Sequence, residues 1–163
     1  RAGRLGFAAD GDAVALVAAR SWRPSEAASE LAKLRGEPVA GPLPDADPGE
    51  LRALHAAVRQ AVRAGALRSA HDVAEGGVAV ALAECALAGG RGARVSLDGV
   101  PLFAEGPGAF VVSAPREALA AFGGAARVIG EVGSDALSIE GVLSVPLVDL
   151  ERAHTEALPD LVA

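Results

Sequence analysis

Apolar positions along the chain fall in short blocks separated by turns rich in Gly and Pro. Residues 12–19 form one such block, with Val14, Leu16 and Val17 behind Asp10-Gly11, and predict a strand after a turn. Pro24-Ser25-Glu26 then opens a predicted helix to about Leu34, with Pro near the first helical position and Gly36 as the stop. Residues 36–49 hold four Pro, at 38, 42, 44 and 48, and read as a loop. From 48 to 64, Leu51, Leu54, His55, Val58, Ala61 and Val62 recur at helical spacing, and Gly65 closes the helix. Residues 67–73 predict a strand that runs into Glu75-Gly76-Gly77 and then an almost wholly apolar stretch, 78–88. Length and Ala content make that stretch a helix, and being apolar on all sides it must be buried.

Beyond Gly89-Gly90, strands are predicted at 93–97 and 109–113, followed by a short helix at 116–122. The blocks 127–132 and 136–139 read as a strand pair joined through Gly133-Ser134-Asp135, with 142–145 prolonging the second as a hairpin. A last helix is predicted at about 149–158. Local strand pairs mixed with crossover helices indicate an α+β fold, a mixed β-sheet with helices packed on it.

Composition narrows the function classes. The chain has 163 residues, of which 51% are hydrophobic and 22% charged, enough to bury a core without staples and incompatible with intrinsic disorder. No apolar run approaches the roughly 20 residues of a membrane helix, so no membrane partner is expected. The net charge of −6 argues against a nucleic acid partner. The single Cys85 excludes a disulfide framework and fits a reducing, cytoplasmic setting or indifference to redox. There is no Met and the chain opens Arg1-Ala2-Gly3, which reads as a piece cut from a longer polypeptide.

Residues 69–84, from Ser69 through His71, Asp72, Glu75, Gly76 and Gly77 to Glu84, carry the most chemistry. They place a His-Asp pair near a strand end and two glycines at the mouth of a buried helix. The first turn of a helix has amides without internal partners and the positive end of the helix dipole. Glycine there lets a phosphate or carboxylate approach closely, so bare amides beside Asp72 would form an anion cup, with the carboxylate bridging through Mg²⁺. The same residues equally describe a tight strand-to-helix turn with Asp72 as the cap. The pattern is neither GxGxxG nor a Walker loop.

This window resembles the C-terminal domain of phosphoribosylformylglycinamidine synthase of the large-subunit or subunit II type. The family wording is serine-alanine-histidine-aspartate-valine-serine-aspartate-glycine-glycine-leucine followed by an alanine-rich helix. Arg23-Pro24-Ser25-Glu26 is similar to the family's glycine-serine-glutamate helix start, and residues 51–69 to the helix leading into the motif. The stretch Phe103-Ala104-Glu105-Gly106-Pro107 resembles its phenylalanine-glycine-glutamate-serine loop, with a strand following. The resemblance spans nearly the whole chain. Departures are Ala74 for serine, Glu75 for aspartate, Gly106 for serine and Ala109 for arginine. The broader superfamily takes in aminoimidazole ribonucleotide synthetase, selenophosphate synthetase, thiamine-monophosphate kinase and a hydrogenase maturation factor.

The resemblance implies a three-layer α/β/α domain, residues 1–163, like the C-terminal domain of aminoimidazole ribonucleotide synthetase. It implies a purine-biosynthetic ligase that uses ATP and Mg²⁺ to amidate formylglycinamide ribonucleotide with ammonia from a glutaminase subunit or domain. The other partners implied are the preceding domains of the same chain and a small-molecule nucleotide substrate. The catalytic residues lie in those earlier domains, so this piece alone is expected to be inactive and to hold no cofactor tightly. The resemblance carries over Asp72 as a metal ligand and Glu105, Gly106 and Pro107 as a substrate-contacting loop; with Ser69, His71, Gly76 and Gly77 from the window itself, these are the candidate residues of a nucleotide or phosphate cleft. Other readings remain open here: a different ATP-using member of the superfamily, or a non-enzymatic module that binds anions at Gly76-Gly77.

The remaining candidates read as structure. His55 and His154 have no partner at metal spacing, and Cys85 sits inside the apolar helix as a small hydrophobe. Trp22, the only Trp, is expected to fill an interdomain or domain-edge cleft. Arg59, Arg63 and Arg68 form either a basic edge or a solvated helix face.

Overall fold

The computed structural model describes residues 3–27, 29–38, 41, 44 and 46–156. Seven strands form one sheet: β1 (Ala13–Ala18), β2 (Ser69–Asp72), β3 (Ala93–Val95), β4 (Ala109–Ala114), β5 (Ala126–Val132), β6 (Ala136–Ile139) and β7 (Leu143–Pro146). Their order across the sheet is β2-β4-β1-β5-β3-β6-β7. All neighbours run antiparallel except β3 and β6, which are parallel. Helices α1 (Glu30–Leu34), α2 (Pro48–Ala64), α3 (Gly77–Gly89) and α4 (Leu147–Glu156), with a 3₁₀ segment at Arg116–Ala125, complete the domain.

Strand alternation divides the core in two. On β1, Val14 and Leu16 face a cluster containing Leu82, Cys85 and Val111, while Ala13, Ala15 and Val17 face one containing Leu54, Val58 and Leu119. The first cluster lies under α3 and the second under α2 and the 3₁₀ segment, so the sheet is the middle of three layers. Helix α3 is apolar all round because the sheet covers one side while α4 and the entering chain pack on the helix as well. Phe7, 1% exposed, donates its N–H to the Cys85 carbonyl at 2.9 Å. Burial pushes the Cys85 thiol up to about 12, with the Glu84 charge adding to it, so this sulfur is an inert core atom.

The α+β reading holds, and two local expectations change. The first helix begins at Glu30 instead of Pro24, because Ser25 is drawn into a two-way backbone bridge with Glu105 and Ser29 is the cap. The Ser29 hydroxyl accepts the Ala32 N–H at 3.2 Å. The strands at 126–132 and 136–139 do not pair with each other, because β3 lies between them. Gly133-Ser134-Asp135 instead spans the end of β3: Gly92 donates to the Ser134 carbonyl at 2.8 Å and Gly133 to the Gly92 carbonyl at 3.0 Å. The β6–β7 hairpin and α2, capped by Asp47 and ended by left-handed Gly65, form as predicted. Of the loop at 36–49, residues 39–40, 42–43 and 45 lie outside the described residues, as does the end of the last predicted helix beyond Glu156.

Candidate functional site

Edge strand β2 delivers the His-Asp pair, and its alternation sends neighbouring side chains to opposite faces. His71 turns toward α3, where its Nε2 lies 2.7 Å from Glu84 Oε2. Its Nδ1 is 3.4 Å from Asp72 Oδ1. The imidazole is 14% exposed and the Asp72 side chain 68%, so the histidine is held in place while the carboxylate stands in solvent. Ser69, 1% exposed, spends its hydroxyl on Ser113 at 2.6 Å in a strand-to-strand bond. The Ser69 hydroxyl is thus taken up inside the sheet.

The turn from β2 into α3 uses two left-handed glycines, Gly76 (φ 76°) and Gly77 (φ 68°). The amides they introduce are not bare. Gly76 donates to Glu105 Oε1 at 2.8 Å, Gly77 to the Ala74 carbonyl at 3.1 Å, and Ala79 to the Leu102 carbonyl at 3.0 Å. A Cβ on Gly77 would lie 2.7 Å from both the Leu102 and Ala104 carbonyl oxygens. Glycine is required there because the 102–105 loop is laid directly on the helix start. At Gly76-Gly77, where an anion cup was expected, the amides are met by the protein's own groups.

Glu105 is the group that meets the helix start. Oε1 accepts from Gly76 and also from the Glu30 amide, both at 2.8 Å. Its backbone exchanges two 2.9 Å bonds with Ser25. A carboxylate at a helix N-terminus satisfies the positive dipole end as an incoming anion would. Gly106 extends the clasp, since its carbonyl accepts the Trp22 indole N–H at 3.2 Å and a Cβ there would press on Pro24 and Pro44. Trp22, partly buried against the core, is thereby tied to this loop.

Beside this clasp lies a cleft of about 380 Å³ lined by His55, Asp72, Glu75, Gly106, Pro107 and Phe110, among others. The His55 ring packs edge-on to Phe110 with centroids 5.2 Å apart. Asp72, Glu75 and Glu105 all border the space, and among the described residues no Lys or Arg does. Such a wall repels phosphate unless a cation intervenes. Among the described residues no three His, Cys, Asp or Glu side chains are grouped to hold a metal ion. Asp72 is the exposed carboxylate of this wall, and one or two carboxylates beside a substrate phosphate are the usual protein share of a Mg²⁺ site.

Two features escaped the sequence. A second cleft, about 580 Å³, opens between α3 and α4 and includes His71, Glu84, Glu151 and His154 in its lining. Glu84, a charge within an apolar helix, was the one available signal. Asp12 is 3% exposed with Oδ2 buried and unbonded, and burial raises its carboxyl while Arg68, 3.4 Å away, pulls the other way. At the start of α2, the Glu50 carboxyl is lowered by the hydrogen bonds it takes from Ser21, whose N–H lies at 2.8 Å.

The class follows from fold and sequence together. Residues 9–141 match the family described as AIR synthase related protein, C-terminal domain, and the chain belongs to that family. The particular relatives are phosphoribosylformylglycinamidine synthase subunits PurL. That of Anaeromyxobacter dehalogenans strain 2CP-C is 37% identical over 179 residues, covering 94% of this chain and 23% of the relative. That of Streptomyces coelicolor is 40% identical over 115 residues, 63% of this chain and 15% of the relative. The chain thus spans about a quarter or less of these relatives. Among solved structures, T. maritima PurL complexed with FGAR superposes with a TM-score of 0.71 at 20% identity, covering 91% of this chain and 29% of that one. The HypE-HypF complex gives 0.57 at 19% identity, covering 87% and 54%. These superpositions establish the fold, and the resemblance read from residues 69–84 is upheld.

Proposed function

We propose that this chain acts as the C-terminal domain of a phosphoribosylformylglycinamidine synthase, the ligase that amidates formylglycinamide ribonucleotide at the expense of ATP and Mg²⁺. The relatives' name and the motif at 69–77 support the reaction. One observation supports the domain's own role as a wall instead of a ligand seat: Glu105 occupies the amides at the start of α3. Catalytic groups, nucleotide and metal then belong to the rest of the polypeptide, and ammonia to a glutaminase partner in the cytoplasm. Within this domain, His71 positions α3 against the edge strand, while Asp72, Gly106 and Pro107 form a cleft wall that closes against neighbouring domains. The alternative of a free anion-binding module loses its basis with the cup filled.

The test has two arms. The intact polypeptide should amidate formylglycinamide ribonucleotide with ATP, Mg²⁺ and ammonium chloride, and the present chain alone should not. The present chain should also show no thermal shift with ADP and Mg²⁺, where saturation at 100 times Kd would add about 2.7 kcal/mol. Turnover by this chain alone, or a clear shift with ADP, would overturn the wall reading. Failure of the intact polypeptide to amidate would overturn the reaction.

A further inference from the structure

The cleft of about 580 Å³ between α3 and α4 is used neither by the Glu105 clasp nor by the family reading. Its floor is apolar, with Leu5 from the entering chain, Leu87 from α3 and Leu147 from α4. Leu5 is 42% exposed, so part of that floor is bare. Helix α4 buries none of its residues and rests on the core through Leu147 and Leu150, which leaves the gap beyond them open. Toward α3 it presents Leu147, Glu151 and His154 at i, i+4 and i+7, a single helix face. On the opposite wall stands Glu84, whose Oε2 is 2.7 Å from His71 Nε2. Among the described residues the Glu84 Oε1 and the whole Glu151 carboxylate have no hydrogen-bond or ion-pair partner, and no Lys or Arg lines the cleft. The arginines adjacent in sequence turn elsewhere: Arg91 lies 3.8 Å from Asp10 and Arg152 2.7 Å from Asp149.

The result is a negative potential over an apolar bed. Carboxylates stand on both walls, and the cleft meets the last turn of α3, the negative end of that helix, where no basic residue offsets it. Apolar walls keep such a field focused. An anion would be repelled here. A metal ion would leave the leucine floor unused, and among the described residues no three ligating side chains are grouped to hold one. A neutral apolar ligand would cover the two carboxylates without compensating them, which is costly. A cationic head on an apolar body satisfies both parts of the lining. At about 580 Å³ the space falls within the range of about 300–1,000 Å³ typical of small-molecule sites. We propose that this cleft binds a small organic cation, with its ammonium group between Glu84 and Glu151 and its apolar body on Leu5, Leu87 and Leu147.

The probe is 4-phenylbutylamine, titrated into the full chain at neutral pH, where its amine is charged. Its counterpart 4-phenylbutyrate has the same apolar body and the opposite charge. The three histidines supply the readout by NMR, because His71 and His154 line this cleft and His55 lines the other. The amine should shift the His71 and His154 ring signals saturably, with a Kd of about 1 mM or tighter, and leave His55 in place. The variant E84Q/E151Q should lose about tenfold in affinity, equal to about 1.4 kcal/mol, while the control E117Q/E140Q, at exposed acids outside the cleft, binds as wild type does. E151Q alone, a single exposed change, should lose a smaller share and keeps the test decisive if the double variant misfolds. Equal binding of 4-phenylbutyrate would overturn the proposal, as would an equal loss in the control. So would shifts confined to His55, or no saturable shift of His71 and His154 up to about 10 mM amine, ten times the expected Kd.

Discussion

Removing the Glu105 carboxylate is the sharpest test of the filled anion seat. In Glu105→Ala two backbone amides, Gly76 and Glu30, lose an acceptor that each reaches at 2.8 Å. Hydrogen bonds to a charged partner contribute about 1.5–3 kcal/mol each. Glu105 borders a cleft, so water restores part of the loss and the expected cost is about 2–4 kcal/mol. For a chain of this size each kcal/mol moves the melting temperature by about 2–4 °C, which gives a fall of about 5–15 °C. Glu105→Gln keeps an acceptor oxygen but not the charge and should cost about 1 kcal/mol. Circular dichroism melts and urea unfolding of wild type and both variants provide the measurement. Hydrogen exchange should show Gly76 and Glu30 losing protection while β1 and β4 keep theirs. An alanine variant melting within about 2 °C of wild type would mean that the clasp contributes nothing to the fold.

Other perturbations separate the roles argued above. Gly77→Ala, which forces a Cβ to 2.7 Å from two carbonyl oxygens at φ 68°, should destabilise by about 3 kcal/mol or more. Gly90→Ala, at φ 60° in open space, should cost only about 1 kcal/mol in the same urea titration. Asp12 is raised by burial, so its folded-state value lies above the unfolded one and its stability contribution, complete at low pH, is lost as pH rises through the folded value. Melts of Asp12→Asn against wild type should therefore show the variant gaining relative to wild type as pH rises above the ordinary aspartate value of about 3.9, and a pH-independent difference would refute this. Asp72→Asn, whose one ion-pair contact among the described residues is His71 at 3.4 Å, should move stability by no more than about 0.5 kcal/mol.

Much of the architecture was legible in the sequence because it rests on local causes. The helical spacing of Leu51, Leu54, Val58 and Val62 and the stop at Gly65 are properties of the chain within a few residues, and α2 forms accordingly. The all-apolar run after Gly77 announced a helix enclosed on both sides, and it lies between the sheet and α4. The His-Asp-Gly-Gly window pointed to the family, which the relatives bear out. Reading Gly76-Gly77 as a cup assumed that nothing else in the chain would reach those amides.

What the sequence determined by itself, then, is which segments coil, which extend and what lineage they share, since period, caps and motif wording act over a handful of positions. Tertiary structure decided which strands meet and what sits on the helix mouth. β3 separates β5 from β6, a choice that alternation within either strand cannot express. Glu105 reaches Gly76 across 29 residues and Glu30 across 75, and a side chain that distant becomes a partner only once the sheet has brought its loop alongside.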